Sequence, residues 1–257
     1  MESQDSHRRS SEMEFHDRYF GGDPMRSRER RFYTPHVNKT LSSCALTQLR
    51  EVGGKRVLYY GCGVTSDILV DFAQAGATVI AMDISGVALR QIRSAIQKSG
   101  LTDRAHAVQM DGELLGFRDG AFDVIYGRAI LHHLDVARCG QELSRVLAPG
   151  GRAVFIEPLG TNPLINLYRK LTPRSRTPDE HPFVREDLRE LSRHFQRLEE
   201  RPFFLFALAA FVFSGIWRNA SLYDFTYRAL SRLDSFLLGL IPPLGRYCWA
   251  TVLTLQK

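Results

Sequence analysis

No apolar run in this chain of 257 residues reaches the ~18–20 residues that a membrane-spanning helix needs. The nearest is Pro202 to Trp217, which is uncharged but too short. The N-terminus is polar and charged and lacks the apolar centre of a secretory leader, so the cytoplasm is the expected compartment. The four cysteines, Cys44, Cys62, Cys139 and Cys248, form no C-x-x-C pair. That speaks against a zinc knuckle and for reduced thiols. Internal repeats and low-complexity tracts are absent. The net charge of +6 comes mostly from arginine and is accounted for by a solvated basic face, without nucleic acid. An apolar share of 44% suffices for one buried core, or one core with a cap.

What is present is a regular alternation of strands and helices. Residues 1–13 read as a polar, disordered tail. Phe15, Tyr19 and Phe20 form one face of a short helix that Gly21-Gly22-Asp23-Pro24 breaks. A helix is expected over 38–50. Strands follow at 56–60, 78–82, 105–109, 122–126 and 152–156, with helices at 67–75, 85–98 and 136–147 between them. Beyond 158 the regularity lapses. Residues 158–185 are rich in Pro, Arg and Thr and read as a lid loop. A helix is expected at 185–194, a strand at 198–206, an apolar helical insert at 207–245 and a last strand at 247–256. The fold class is therefore α/β: a doubly wound, mostly parallel, seven-stranded Rossmann-like sheet. Residues 1–37 give a polar tail and helical lid, and 38–257 give the main domain.

Four places in this pattern carry chemistry. The first strand ends in Gly61-Cys62-Gly63, where the missing Cβ atoms let a ligand approach the backbone and a helix N-terminus follows. Asp83 closes the second strand, 22 residues after Gly61, where a carboxylate can accept both hydroxyls of a ribose. Asp111-Gly112-Glu113 closes the third strand, and its acid can accept from an adenine amino group. The fourth strand runs into Ile130-Leu131-His132-His133-Leu134 at the same edge. Asp123, at the start of that strand, reads as a turn or capping residue.

Taken together, these residues resemble the class I S-adenosylmethionine-dependent methyltransferases. The Gly61-Cys62-Gly63 turn, Asp83, Asp111, Phe122-Asp123-Val124-Ile125, Leu131-His132-His133-Leu134 and Arg145-Val146-Leu147-Ala148-Pro149-Gly150-Gly151 occur in that family's order and spacing. The likeness spans about residues 55–157 and the final strand. It implies S-adenosylmethionine as cofactor. Gly61 and Gly63 would then face its methionine part, Asp83 its ribose, and Asp111 and Gly112 its adenine. Tyr60, Cys62, Ile84, Glu113 and Arg128 would complete the shell. The chain departs from the family at Thr65, where a third glycine is frequent.

Candidates for proton transfer are His132, His133, Glu157 and His181. His181 lies in Thr177-Pro178-Asp179-Glu180-His181-Pro182-Phe183, which is similar to the loop after strand five of quinone-biosynthetic O-methyltransferases. A lid histidine there is preferred to a divalent-cation cluster with Glu157, and no metal is assigned. Nucleic-acid amino groups are disfavoured, because Tyr126-Gly127-Arg128-Ala129 replaces the Asn/Asp-Pro-Pro-aromatic motif. No Pro-Cys nucleophile for cytosine or uracil is present. The aromatic stretches 203–217 and 236–244 must line a core as a helical cap packed on the domain, a pocket for a hydrophobic small molecule, a peripheral membrane contact or a homodimer contact. The expected reaction is methylation of a quinone, polyketide or lipid-like metabolite, at oxygen first and at carbon or nitrogen as the alternative. The rivals are a non-catalytic S-adenosylmethionine-binding protein and a nucleotide-dependent dehydrogenase.

Overall fold

Seven strands form one sheet in the order β3-β2-β1-β4-β5-β7-β6. They are β1 Arg56–Tyr60, β2 Thr78–Asp83, β3 Ala105–Gln109, β4 Phe122–Arg128, β5 Leu147–Pro158, β6 Arg197–Phe203 and β7 Ala250–Gln256. The structure is a computed structural model, and it describes residues 2–22, 34–163, 165–166, 183–211, 213 and 219–257. β1 to β5 pair in parallel, while β7 runs antiparallel between β5 and β6. The strand order reverses between β1 and β4, so the crevice of this doubly wound sheet opens at the C-terminal ends of those two strands.

The helices are α1 Glu2–Phe20, α2 Pro35–Leu49, α3 Asp67–Gln74, α4 Gly86–Lys98, α5 Val136–Val146, α6 Arg185–Ser192 and α7 Ala220–Leu240. Successive strand residues point to opposite faces. Val57 and Tyr59 join the core under α2, α3 and α4. Leu58 and Tyr60 join the core under α5 and α6. Helix starts follow ordinary capping chemistry: Ser85 accepts from Ala88 N for α4, Asp135 accepts from Ala137 N and Arg138 N for α5, and Asn219 accepts from Leu222 N for α7. Asp123 takes the structural part expected of it. It accepts from the backbone and guanidinium of Arg56 at 2.8–3.1 Å, at the far end of the sheet from the crevice.

One difference from the sequence reading matters: α1 begins at Glu2, so residues read as a disordered tail are helical. In the described part of the stretch from 203, the packed alternative holds for several residues. Phe204, Ala207 and Ala210 are buried, and Asp234 of α7 accepts from the amides of Leu205, Phe206 and Ala207 at 2.8–3.1 Å. The exposed apolar surface lies instead along α7. Tyr223 and Tyr227 anchor that helix inward, bonding to Thr34 and Thr40 at 2.6 and 2.8 Å. Its outer face carries Leu222, Phe225, Leu233, Phe236 and Leu240, and Ile241 follows it. Among the described residues, no helix is long and apolar enough to cross a membrane.

Candidate active site

β1 delivers the chain to a turn in which Gly61 and Gly63 have φ of +66° and +51°. Side chains are strained in this left-handed region. Space is a second constraint at Gly61, where a Cβ would lie 2.5 Å from Ile130 Cγ1. The turn is closed by Asp83 at the end of β2. Its Oδ2 accepts from Gly63 N at 2.8 Å and its Oδ1 from Ser85 N at 2.9 Å. Burial pushes the Asp83 carboxyl above its ordinary pKa, and the two amides pull it partly back. Thr65 does not share the positive φ of the two glycines and donates its N–H to Cys62 O at 3.2 Å. Its backbone therefore needs no third glycine.

Further along the rim, Asp111 Oδ1 accepts from Glu113 N at 2.9 Å, and its Oδ2 lies 2.7 Å from Arg9 Nε of α1. Gly112 sits against Tyr60, whose hydroxyl donates to Gly112 O at 2.7 Å. A Cβ on Gly112 would come within 2.6 Å of that hydroxyl. Ile84 O accepts from Gln109 Nε2 at 2.9 Å. Several side chains counted in the expected shell are engaged elsewhere. Tyr60 and Cys62 point into the two cores, Glu113 accepts from Asp135 N at 2.8 Å, and Arg128 donates to Asn38 of α2. At Tyr60 and Cys62 only the backbone borders the turn. Burial raises the Cys62 thiol pKa well above its ordinary value, so it is no nucleophile.

After β4 the chain turns at Ala129, a non-glycine residue with φ of +51°. Such strain is stored where the surroundings enforce it. Here the enforcing group is Glu157, at the end of β5 and fully buried. Its Oε1 accepts from Ile130 N and Leu131 N at 3.0 and 2.9 Å, and its Oε2 lies 2.8 Å from His132 Nδ1. Burial lifts the Glu157 pKa to about 7, against the pull of those amides. His132 is itself buried, and its ring lies 4.2 Å, centroid to centroid, from that of His133. The structure thus brings His132, His133 and Glu157 together. His181 lies outside the described residues.

The helix expected at Phe15 to Phe20 is the end of α1, which reaches back to Glu2. It crosses the rim rather than trailing from it. Asp17 Oδ1 accepts from Ser85 Oγ at 2.5 Å and from Val87 N at 3.1 Å, clamping α1 to the start of α4. The Phe20 ring stands 3.1 Å from where a Gly63 Cβ would be. His16 meets the His133 ring edge-on at 5.2 Å. A signal was available: Glu12 and His16 are four residues apart, so they share a helix face.

Residues 58–155 match the family model described as a methyltransferase domain. That match takes in less than half of the chain, and it makes the chain similar to the S-adenosylmethionine-dependent methyltransferases. Among relatives of this chain, a sterol 4-C-methyltransferase of Caenorhabditis elegans is 27% identical over 150 residues, covering 57% of this chain and 44% of that protein. A ubiquinone/menaquinone biosynthesis C-methyltransferase of Vibrio vulnificus is 34% identical over 108 residues, covering 40% and 41%. These matches span less than half the length of either relative. A solved structure of geranyl diphosphate methyltransferase in complex with SAM shares the fold, with a TM-score of 0.60, 14% identity, and coverage of 86% of this chain and 85% of that one.

Proposed function

We propose that this chain binds S-adenosylmethionine across the C-terminal ends of β1, β2 and β3 and methylates a lipophilic small molecule. The observation that carries the reading is the turn at Gly61 and Gly63, of left-handed backbone and held by the Asp83 carboxylate. A cradle without Cβ atoms beside a buried acid suits a nucleoside with a short polar tail. Each carboxylate oxygen of Asp83 uses one lone pair on an amide and keeps another for a ribose hydroxyl. Gly61 and Gly63 would border the methionine part, Asp111, Gly112 and Ile84 the adenine side. When bound, the sulfonium supplies an electrophilic methyl group, so the protein's part is alignment and proton removal.

His132 is our choice for the proton acceptor. Glu157 holds its Nδ1, an arrangement that orients an imidazole to act as a base. Glu157 is then a positioning residue, fixing both the imidazole and the strained turn before it. Such a base suits a phenol- or enol-type acceptor, because loss of one proton makes both the oxygen and the neighbouring carbon nucleophilic. The two relatives named for C-methylation support carbon over the oxygen favoured from sequence alone. The relatives named for sterols, quinones and geranyl diphosphate support an apolar acceptor. The exposed apolar face of α7, beside Arg228, Arg232 and Arg246, would rest on an anionic bilayer from which such an acceptor is drawn.

The test is calorimetry with S-adenosylhomocysteine, followed by labelled S-adenosylmethionine and a lipid extract. Binding together with label in the organic phase supports the proposal. Binding without turnover on any apolar acceptor would favour the non-catalytic alternative.

A further inference from the structure

α1 and the turn after β4 bring together three side chains that the methyl-transfer reading does not use. Glu12 and His16 are one helical turn apart on α1, and His133 follows β4. Glu12 Oε2 lies 3.3 Å from His16 Nε2 and 3.9 Å from His133 Nδ1. One ligand atom from each of the three residues falls within 4.8 Å of the other two. Tetrahedral ligands at bond lengths of about 2.1 Å stand roughly 3.4 Å apart, so these atoms need move little to enclose an ion. The side chains are 9%, 17% and 12% exposed, sheltered from bulk water yet beside the crevice.

We propose that Glu12, His16 and His133 form a three-ligand site for a divalent first-row transition metal ion, zinc or iron in type, that ties α1 to the sheet rim. Two imidazoles and one carboxylate favour such ions over magnesium or calcium, which take oxygen ligands. Three protein ligands leave at least one position open, as in catalytic rather than structural sites. That open position is available to water or to an oxygen of the acceptor. The ligands come from two segments far apart in sequence, so the ion would hold the N-terminal helix down over the crevice. His132 keeps its partner Glu157 and takes no part in the set.

The test uses the untagged full chain, stripped with a chelator, titrated with Co2+ in the absence of cofactor. Leaving the cofactor out makes the result independent of the methyl-transfer reading. The expected result is uptake of one equivalent with visible ligand-field absorption, displaced by Zn2+. Glu12→Gln and His16→Gln should each weaken uptake at least tenfold, while circular dichroism and the thermal midpoint report an intact fold. No uptake by the parent chain, or undiminished uptake in both variants, overturns the site.

Discussion

Arg9 of α1 brings its Nε to 2.7 Å from Asp111 Oδ2, so the acid expected to meet adenine already has a cationic partner on the lid. The two side chains are 37% and 19% exposed, and partly solvated pairs of this kind are worth about 0.2–1 kcal/mol. If the adenine amino group takes up Asp111, binding must spend part of that energy. Arg9→Ala should therefore tighten S-adenosylhomocysteine binding about two- to fivefold, measured by calorimetry at low salt. Weaker binding would instead place Arg9 among the cofactor's contacts.

Asp83 serves two turns at once, and its substitutions separate those roles. Asp83→Ala removes the acceptors for Gly63 N and Ser85 N as well as the ribose site. Buried amides left without partners cost about 1–3 kcal/mol, so the thermal midpoint should drop. Asp83→Asn keeps one acceptor oxygen and should recover much of the stability. Both variants should lose at least tenfold in cofactor affinity. Wild-type affinity in Asp83→Asn would remove the ribose role from this position.

The strands β1 to β4 were legible because each holds a short apolar stretch bounded by glycine or a polar turn. β3 falls where the pattern put it, and β1 matches residue for residue. Asp83 was legible because it ends an otherwise apolar strand directly before a helix cap. Other features were not. The side chains of Tyr60 and Cys62 are buried on opposite faces of the sheet, and a glycine-rich motif says nothing of its neighbours' orientation. Glu157 as the clamp on Ile130 and Leu131 depends on pairing between β4 and β5 across 26 residues of chain. The reach of α1 back to Glu2 was hidden by the polarity of residues 2–13, which leave no apolar stripe to read.

Glu157 makes stability depend on pH in a direction opposite to most carboxylates. Its pKa rises from 4.5 to about 7 on folding, because burial disfavours the charged form. The folded state therefore holds a proton that the unfolded state has released between those values. Stability should fall as pH rises from about 4.5 to about 7, by on the order of 3 kcal/mol for a shift of this size. Glu157→Gln stays neutral and keeps an acceptor for Ile130 N and Leu131 N, so it should flatten that slope. Thermal unfolding across this range decides it: an unchanged slope in the variant assigns the pH dependence to other groups. Activity should fall at least tenfold in the same variant, through loss of the His132 orientation.

The outer face of α7 yields the most direct test of where the acceptor comes from. Phe225, Phe236 and Leu240 are 72%, 66% and 66% exposed, a concentration that a helix bathed in water alone does not need. Burying a Phe fully is worth about 1.5–3 kcal/mol, and basic residues beside it add attraction to anionic headgroups. The chain should co-sediment with vesicles containing phosphatidylglycerol and release in part at high salt. Phe225→Ser with Phe236→Ser should weaken that binding at least tenfold, with the thermal midpoint nearly unchanged, because neither ring is in the core. Activity on a water-dispersed acceptor should survive, while activity on the same acceptor in vesicles should fall with binding. A parent chain that ignores vesicles but dimerises, and a double variant that does not, would give the face to a second copy instead.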